Sequence, residues 1–216
     1  MRDVDINNPY IQARLDGFAE KLNTLKPAEV LPIRHKDKSI DKHMGVSTEY
    51  LHRLMEEEGN KGLPRSCKGA DLLTARNAPE WKDIVPDVSF NFSRELGLEF
   101  HQNALCFFYP EDGFIGWHTN EDAPGHTLLF TWSETGDGFY RFKDKDSGEI
   151  KTLPDKPGWV CRTGTYGDGT DLFGRVQWHC ALTNEPRCSI AFCITSTEMI
   201  EMIVEDIECS DGRSII

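Results

Sequence analysis

The chain has 216 residues, with 24 Lys or Arg against 36 Asp or Glu, so its formal net charge is −12, and 38 % of it is hydrophobic. This length suits one domain with an ample core. No apolar run approaches the roughly 20 residues of a spanning helix, which argues against a membrane protein. The 12 Phe, 5 Trp and 5 Tyr exceed what a solvated, disordered chain carries. The acid excess argues against a protein that tracks nucleic-acid phosphates, because that affinity comes from clustered Lys and Arg.

The first residues, MRDVDINNPY, lack the basic start and apolar core of a secretory signal, so a cytoplasmic location is expected. The seven cysteines include no CxxC pair, the spacing a disulfide framework or structural zinc site would favour. Several sit in apolar runs, such as Cys106 in ALCFFY and Cys193 in IAFCI. Reduced thiols acting as small hydrophobes are expected there.

Residues 1–100 read as a mainly helical support. Tyr10, Ile11, Leu15, Phe18 and Leu22 recur at spacings of three and four, the mark of one buried helix face. The charged stretch LPIRHKDKSIDKH reads as a surface loop. A second helix follows Ser47, which can cap it, with Leu51, Leu54 and Met55 on its apolar side. Residues 101–197 change character to short β-prone runs: ALCFFY, FIGWH, TLLFTW, GFYRF, EIKTL, GWVCR, RVQWHCAL and RCSIAFCI. Turn chemistry separates them, in PEDG, EDAPG, ETGDG, DKDSG, PDKPG and GDGTD. Eight such strands predict a double-sheet jelly roll, so the fold class is α+β, mainly β. Residues 198–216 hold a helix with Met199, Ile203 and Ile207 on one side, and a tail.

Strand alternation in FIGWH puts Phe114, Gly116 and His118 on one face, and continued extension adds Asn120. A second histidine, His179, stands in the predicted strand RVQWHCAL. Arg187 and Ser189 share one face of the last strand, and Ile190, Phe192 and Ile194 share the other, suited to packing against helices. Trp117 and Trp178, each just before a histidine, point the opposite way and read as packing.

Together these residues resemble the Fe(II)- and 2-oxoglutarate-dependent oxygenases, most nearly their prolyl hydroxylase-like branch. HTN at 118–120 stands where that family has His-x-Asp/Glu, His179 where it has a distal His, and RCS at 187–189 where it often has Arg-x-Ser. The similarity runs on through YPEDGFIGWHTNED and GFYRF and covers about half the chain. The resemblance implies that His118, Asn120 and His179 hold iron, two imidazoles and one further ligand leaving three positions for 2-oxoglutarate and dioxygen. It implies that Arg187, bidentate, and Ser189 anchor the far carboxylate of 2-oxoglutarate. Tyr109 would offer a phenol to cosubstrate or substrate. The reaction implied is hydroxylation of a C–H bond in a protein side chain or small molecule, with 2-oxoglutarate decarboxylated to succinate.

Asn120 departs from the pattern, because a carboxylate is expected there. Four arrangements are open: ligation through its amide oxygen; a carboxylate from Asp122, or from Glu121 after a turn; a halide in the vacant corner, which Asn would crowd; or a domain that binds without turnover. A nucleic-acid dealkylase of the same superfamily is a further rival, suggested by IGWH. The net charge and the absence of a second arginine late in the last strand stand against it. Among blander readings, His126 is an exposed loop histidine and DKDSGE, lacking EF-hand spacing, is a hairpin turn. The expected partner is a neutral or cationic small molecule or protein, with neither nucleic acid nor membrane involved. Oligomeric state is left open.

Overall fold

A computed structural model of the chain describes residues 1–57, 62–73, 86–98, 103–167, 169–170 and 174–211. The boundary expected at residue 100, part of the GDGTD turn and the last five residues lie outside these.

Helix α1 (Pro9–Leu25) starts where Asn8 accepts from the backbone N–H groups of Tyr10 and Ile11, with Pro9 at the first helical position. It stops at Lys26, whose left-handed φ of 42° is followed by Pro27 and the short α2 (Pro27–Val30). Its buried face is Ile11, Leu15, Phe18, Ala19 and Leu22, as the periodicity predicts, while Tyr10 points to solvent. After α3 (Lys42–Gly45), α4 (Thr48–Glu56) is capped by Ser47 Oγ, which accepts from Tyr50 N–H. It buries Tyr50, Leu51 and Leu54, whereas Met55 falls on the solvent side, 44 % exposed. The C-terminal helix Thr197–Glu208 buries Ile200, Ile203, Val204 and Ile207. None of the described helices is long and apolar enough to cross a membrane.

Among the described residues ten strands form one antiparallel path folded into two facing sheets, and an eleventh pairs at its side. The first sheet orders β1 (Arg2–Val4), β9 (Gly158–Tyr166), β6 (Gly125–Ser133), β11 (Arg187–Ile194) and β4 (Asn103–Tyr109). The second orders β5 (Phe114–His118), β10 (His179–Thr183), β7 (Gly138–Lys143) and β8 (Ile150–Pro154). β3 (Cys67–Asp71) joins them at one edge: Ala70 and Asp71 pair with β4, and Cys67 and Lys68 pair with β5. β2 (Arg34–Lys36) pairs with β3. From β4 to β11 the chain crosses repeatedly between the sheets, so four strands fall in each. That winding is a jelly roll.

All eight predicted strands of the roll are present, with one shortened: RVQWHCAL joins the ladder only from His179. Three strands are unpredicted, β1, β2 inside the charged stretch read as a loop, and β3. Each has five residues or fewer and little apolar alternation, so partner backbone, not side-chain pattern, decides them.

Helices cover the outer faces of the roll. Ile190, Phe192 and Ile194 of β11 pack in one cluster with Leu15, Phe18 and Ile203, at roughly 1.5–3 kcal/mol per buried side chain. On the other sheet Phe114, Trp117, Cys180 and Leu182 pack with Tyr50, Leu51 and Leu54. Apolar residues on both outer faces leave the inner faces to enclose a cavity. All seven cysteines are free thiols, four of them buried.

Candidate functional site

β5 and β10 are neighbours, and His118 lies directly opposite His179. A β-bulge separates this pair from Ile115 opposite Ala181, with Gly116 and Trp117 facing only Cys180. The bulge changes side-chain parity. Ile115 and His118 both line the cavity, and Phe114 and Trp117 turn outward to the helices, correcting the expectation that Phe114, Gly116 and His118 share a face.

The two imidazole centroids are 4.0 Å apart. His118 Nδ1 donates to Gly116 O at 2.9 Å and His179 Nδ1 to Gln177 O at 3.2 Å, since a carbonyl can only accept. This tautomer leaves a lone pair on each Nε2. Burial pushes His118 down to about 4 and His179 well below its ordinary value, so both rings are neutral at pH 7. Tyr166 stacks on His179 at 4.6 Å and 17°, and its hydroxyl meets that of Tyr140 at 3.1 Å. Burial raises Tyr166 to about 12, so it stays a phenol. Neither tyrosine was assigned a role from sequence.

Asn120 lines the same cavity two residues beyond His118. The chain then turns, with Ala123 N–H donating to Asn120 O at 2.9 Å. This turn breaks the extension on which the Asp122 alternative depends. Asp122 remains in the cavity wall, packed against Gly62, and no set of three His, Cys, Asp or Glu able to hold a metal exists among the described residues. Glu121, in the same turn, joins no such set either. The two imidazoles stand together, and the neutral Asn120 lines the same cavity.

At the other end Arg187 is 1 % exposed and lies 4.7 Å over the ring of Tyr109, its cross-strand partner. Its Nη1 donates to Ser189 Oγ at 2.9 Å and its Nε to Asp155 Oδ2 at 2.8 Å. Asp155 Oδ1 accepts from Arg162 Nη1 at 2.9 Å, and Arg162 Nε reaches Asp3 Oδ1 at 3.2 Å. Burial opposes the charge on Arg187, but the Asp155 carboxylate holds its pKa above the ordinary value. Two buried guanidinium groups thus share the buried Asp155 carboxylate, and the half-exposed Asp3 completes the network on Arg162. Among the described residues Nη2 of Arg187 is buried without a hydrogen-bond partner, as is Thr131 Oγ1, whose residue pairs with Ser189 across the ladder. The bidentate grip expected of Arg187 is modified, because Nε is already engaged and Nη2 is the open donor. Asp155 and Arg162 were missed from sequence; the only signal is a charged residue amid the apolar pattern of GWVCR.

The same cavity, of about 880 Å³, is lined by His118, Asn120, His179, Tyr109, Arg187 and Ser189, so the roll brings all the predicted site residues together. The donor set suits a divalent metal such as iron, for which imidazole is a common ligand. The orphaned Nη2 suits an anionic oxygen, such as that of a carboxylate. Other singled-out residues lie elsewhere. His126 stands in β6 and bonds Thr197 and Thr165, and Asp144 organises the β7–β8 hairpin turn through Asp146 and Ser147. Trp117 is buried in the outer packing, as expected.

No protein-family model matches the sequence, and no curated protein is similar to it in sequence. Among solved structures, the chain is similar to a prolyl-4-hydroxylase from Pseudomonas putida at 13 % identity and a TM-score of 0.43, covering 90 % of this chain and 92 % of that one. It is similar to a prolyl hydroxylase from Trichoplax adhaerens, in complex with a hypoxia inducible factor peptide fragment, at 12 % identity and a TM-score of 0.42, covering 93 % and 86 %. A 2OG-Fe(II) oxygenase family oxidoreductase from Burkholderia pseudomallei matches at 13 % identity and a TM-score of 0.39, covering 82 % and 90 %.

Proposed function

We infer that this chain is an iron(II)- and 2-oxoglutarate-dependent oxygenase, with His118, His179 and Asn120 as metal ligands and Arg187 and Ser189 as the cosubstrate anchor. The observation that carries this reading is one cavity holding two opposed neutral imidazoles at one place and a buried guanidinium with an unpaired nitrogen at another. When bound, iron and 2-oxoglutarate supply the oxidation of a substrate C–H bond by dioxygen, the keto acid leaving as succinate and carbon dioxide.

The chain's own residues bind and orient. Gly116 and Gln177 carbonyls hold Nδ1 of each ring, leaving each Nε2 as the nitrogen that would bind a metal. Stacking by Tyr166 holds the plane of His179. Tyr109 and Asp155 hold the Arg187 side chain from two directions, so the open Nη2 meets an anion already oriented. Apolar walls of Phe107, Ile115 and Leu129 exclude water around a bound substrate.

The test is iron-dependent conversion of 2-oxoglutarate to succinate by the purified chain, absent in His179→Gln. A parent chain that binds neither metal nor 2-oxoglutarate refutes the reading. The neutral Asn120, with no carboxylate completing a metal set among the described residues, favours one second reading: a domain that binds metal and 2-oxoglutarate without turnover. Binding of both with no succinate formed distinguishes it.

A further inference from the structure

We propose that the substrate is an amphipathic anion, a molecule with an apolar body and one acidic group, taken with that group on Arg34 and Lys36 at the cavity mouth. The proposal rests on the oxygenase reading for the chemistry that follows, but the mouth itself is built from other residues. Edge strand β2 pairs with β3 so that Arg34 faces Gly69 and Lys36 faces Cys67. Directly opposed residues of a ladder share a sheet face. Gly69 and Cys67 line the cavity, and so do Arg34 and Lys36.

Among the described residues no acidic side chain pairs with Arg34 or Lys36, and the Lys36 ammonium donates to the uncharged carbonyl of Pro64 at 2.6 Å. That bond sets the charge beside Leu63, which also lines the mouth and is 75 % exposed. The cation and the apolar side chain thus stand together at the edge of the cavity, where a ligand with an acidic group and an apolar body would meet both. Two acids also line the cavity, Asp71, whose Oδ1 accepts from Leu73 N–H at 2.9 Å, and Asp122, packed against Gly62, so the lining holds both signs and the anion is assigned to the edge where Arg34 and Lys36 flank Leu63.

Inward of the rim the wall becomes apolar, with Leu105, Phe107, Ile115 and Leu129. The cavity, about 880 Å³, falls in the range of roughly 300–1,000 Å³ that encloses drug-sized molecules. A five-carbon keto acid held at Arg187 leaves most of that volume to a second molecule. An anionic substrate would depart from the neutral or cationic partner expected from net charge, because a ligand meets the nearest charges of the rim before the average of the surface.

The test uses calorimetric titration of the full chain, with and without 2-oxoglutarate, by two probe series: decanoate, decanol and decylamine, and phenylbutyrate, phenylbutanol and phenylbutylamine. The acid of at least one series is expected to bind about tenfold or more tightly than its alcohol and amine. Arg34→Gln and Lys36→Gln are each expected to weaken that acid several-fold and to leave 2-oxoglutarate affinity unchanged. Equal binding within both series, no binding of either acid, or an acid preference untouched by both variants overturns the proposal. A preference for the amines also overturns it and assigns the mouth to Asp71 and Asp122. If 2-oxoglutarate binds while the acids fail, the substrate class alone falls; if an acid selects Arg34 while 2-oxoglutarate fails, the oxygenase reading alone falls.

Discussion

Arg187 Nε donates to Asp155 Oδ2 at 2.8 Å with both side chains withdrawn from solvent, at 1 % and 0 % exposure. The same carboxylate holds Arg162 at 2.9 Å, so one buried acid is shared by two buried cations. Removing it leaves Arg187 without an acidic partner in a low-dielectric interior and Arg162 with only the half-exposed Asp3. Asp155→Ala is therefore expected to cost about 3–5 kcal/mol of unfolding free energy, measured by urea denaturation. A loss below about 1 kcal/mol contradicts the charge accounting. The milder Asp3→Asn acts at the half-exposed end of the network and is expected to leave the fold intact with only a small loss.

Arg187→Ala is expected to lower 2-oxoglutarate affinity about a hundredfold or more, since it removes a buried charged contact worth about 2–5 kcal/mol. Metal affinity, read by Co(II) titration, is expected to stay within a factor of about two. Ser189→Ala is expected to weaken 2-oxoglutarate about fivefold, the scale of one hydrogen bond near 1 kcal/mol. Unchanged cosubstrate affinity in Arg187→Ala removes the anchoring role.

Asn120→Asp supplies the anionic oxygen that the cluster lacks. Because a carboxylate is a stronger donor to a divalent cation than a neutral amide, Co(II) affinity is expected to rise about tenfold or more. If succinate formation appears only in this variant, the parent chain binds without turnover. If affinity is unchanged, the side chain at 120 does not reach the metal.

Acid stability has a separate source in the Asp87 carboxyl, which receives bonds from Arg14 of α1 and from Asn91 and Lys21. Burial opposes its charge, but these bonds outweigh it and hold the pKa at about 2, below the ordinary 3.8. A depressed carboxyl stabilises the fold above its unfolded pKa, and that stability is lost as pH falls from 3.8 toward 2. After discounting for solvent screening the effect is about 1 kcal/mol. Arg14→Ala is expected to flatten the stability slope across this window in acid denaturation; an unaltered slope contradicts the assignment.

Local chemistry made much of this protein legible. The i, i+4 and i, i+3 spacing of Ile11, Leu15, Phe18 and Leu22 gives α1 its buried face, and Ser47 marks the start of α4. Turn residues between apolar runs gave the eight strands of the roll, since those residues act within four positions of the chain. The order of His118, Asn120, His179, Arg187 and Ser189 pointed to one site, and the roll gathers all five into one cavity.

Tertiary structure decided what depends on partners distant in sequence. The face that His118 presents follows from a bulge, which exists only because β10 pairs with β5. Asp122 is carried away from extension by a turn, so alternation could not place it. The bond from Arg187 to Asp155 joins β11 to the end of β8, and no pattern along either segment announces a buried ion pair. The sequence by itself determined which residues favour strand, helix and turn, because those preferences are properties of a few neighbouring residues. Only the packed sheets determined which donors face one another, because parity, burial and charge pairing are properties of the strands that meet.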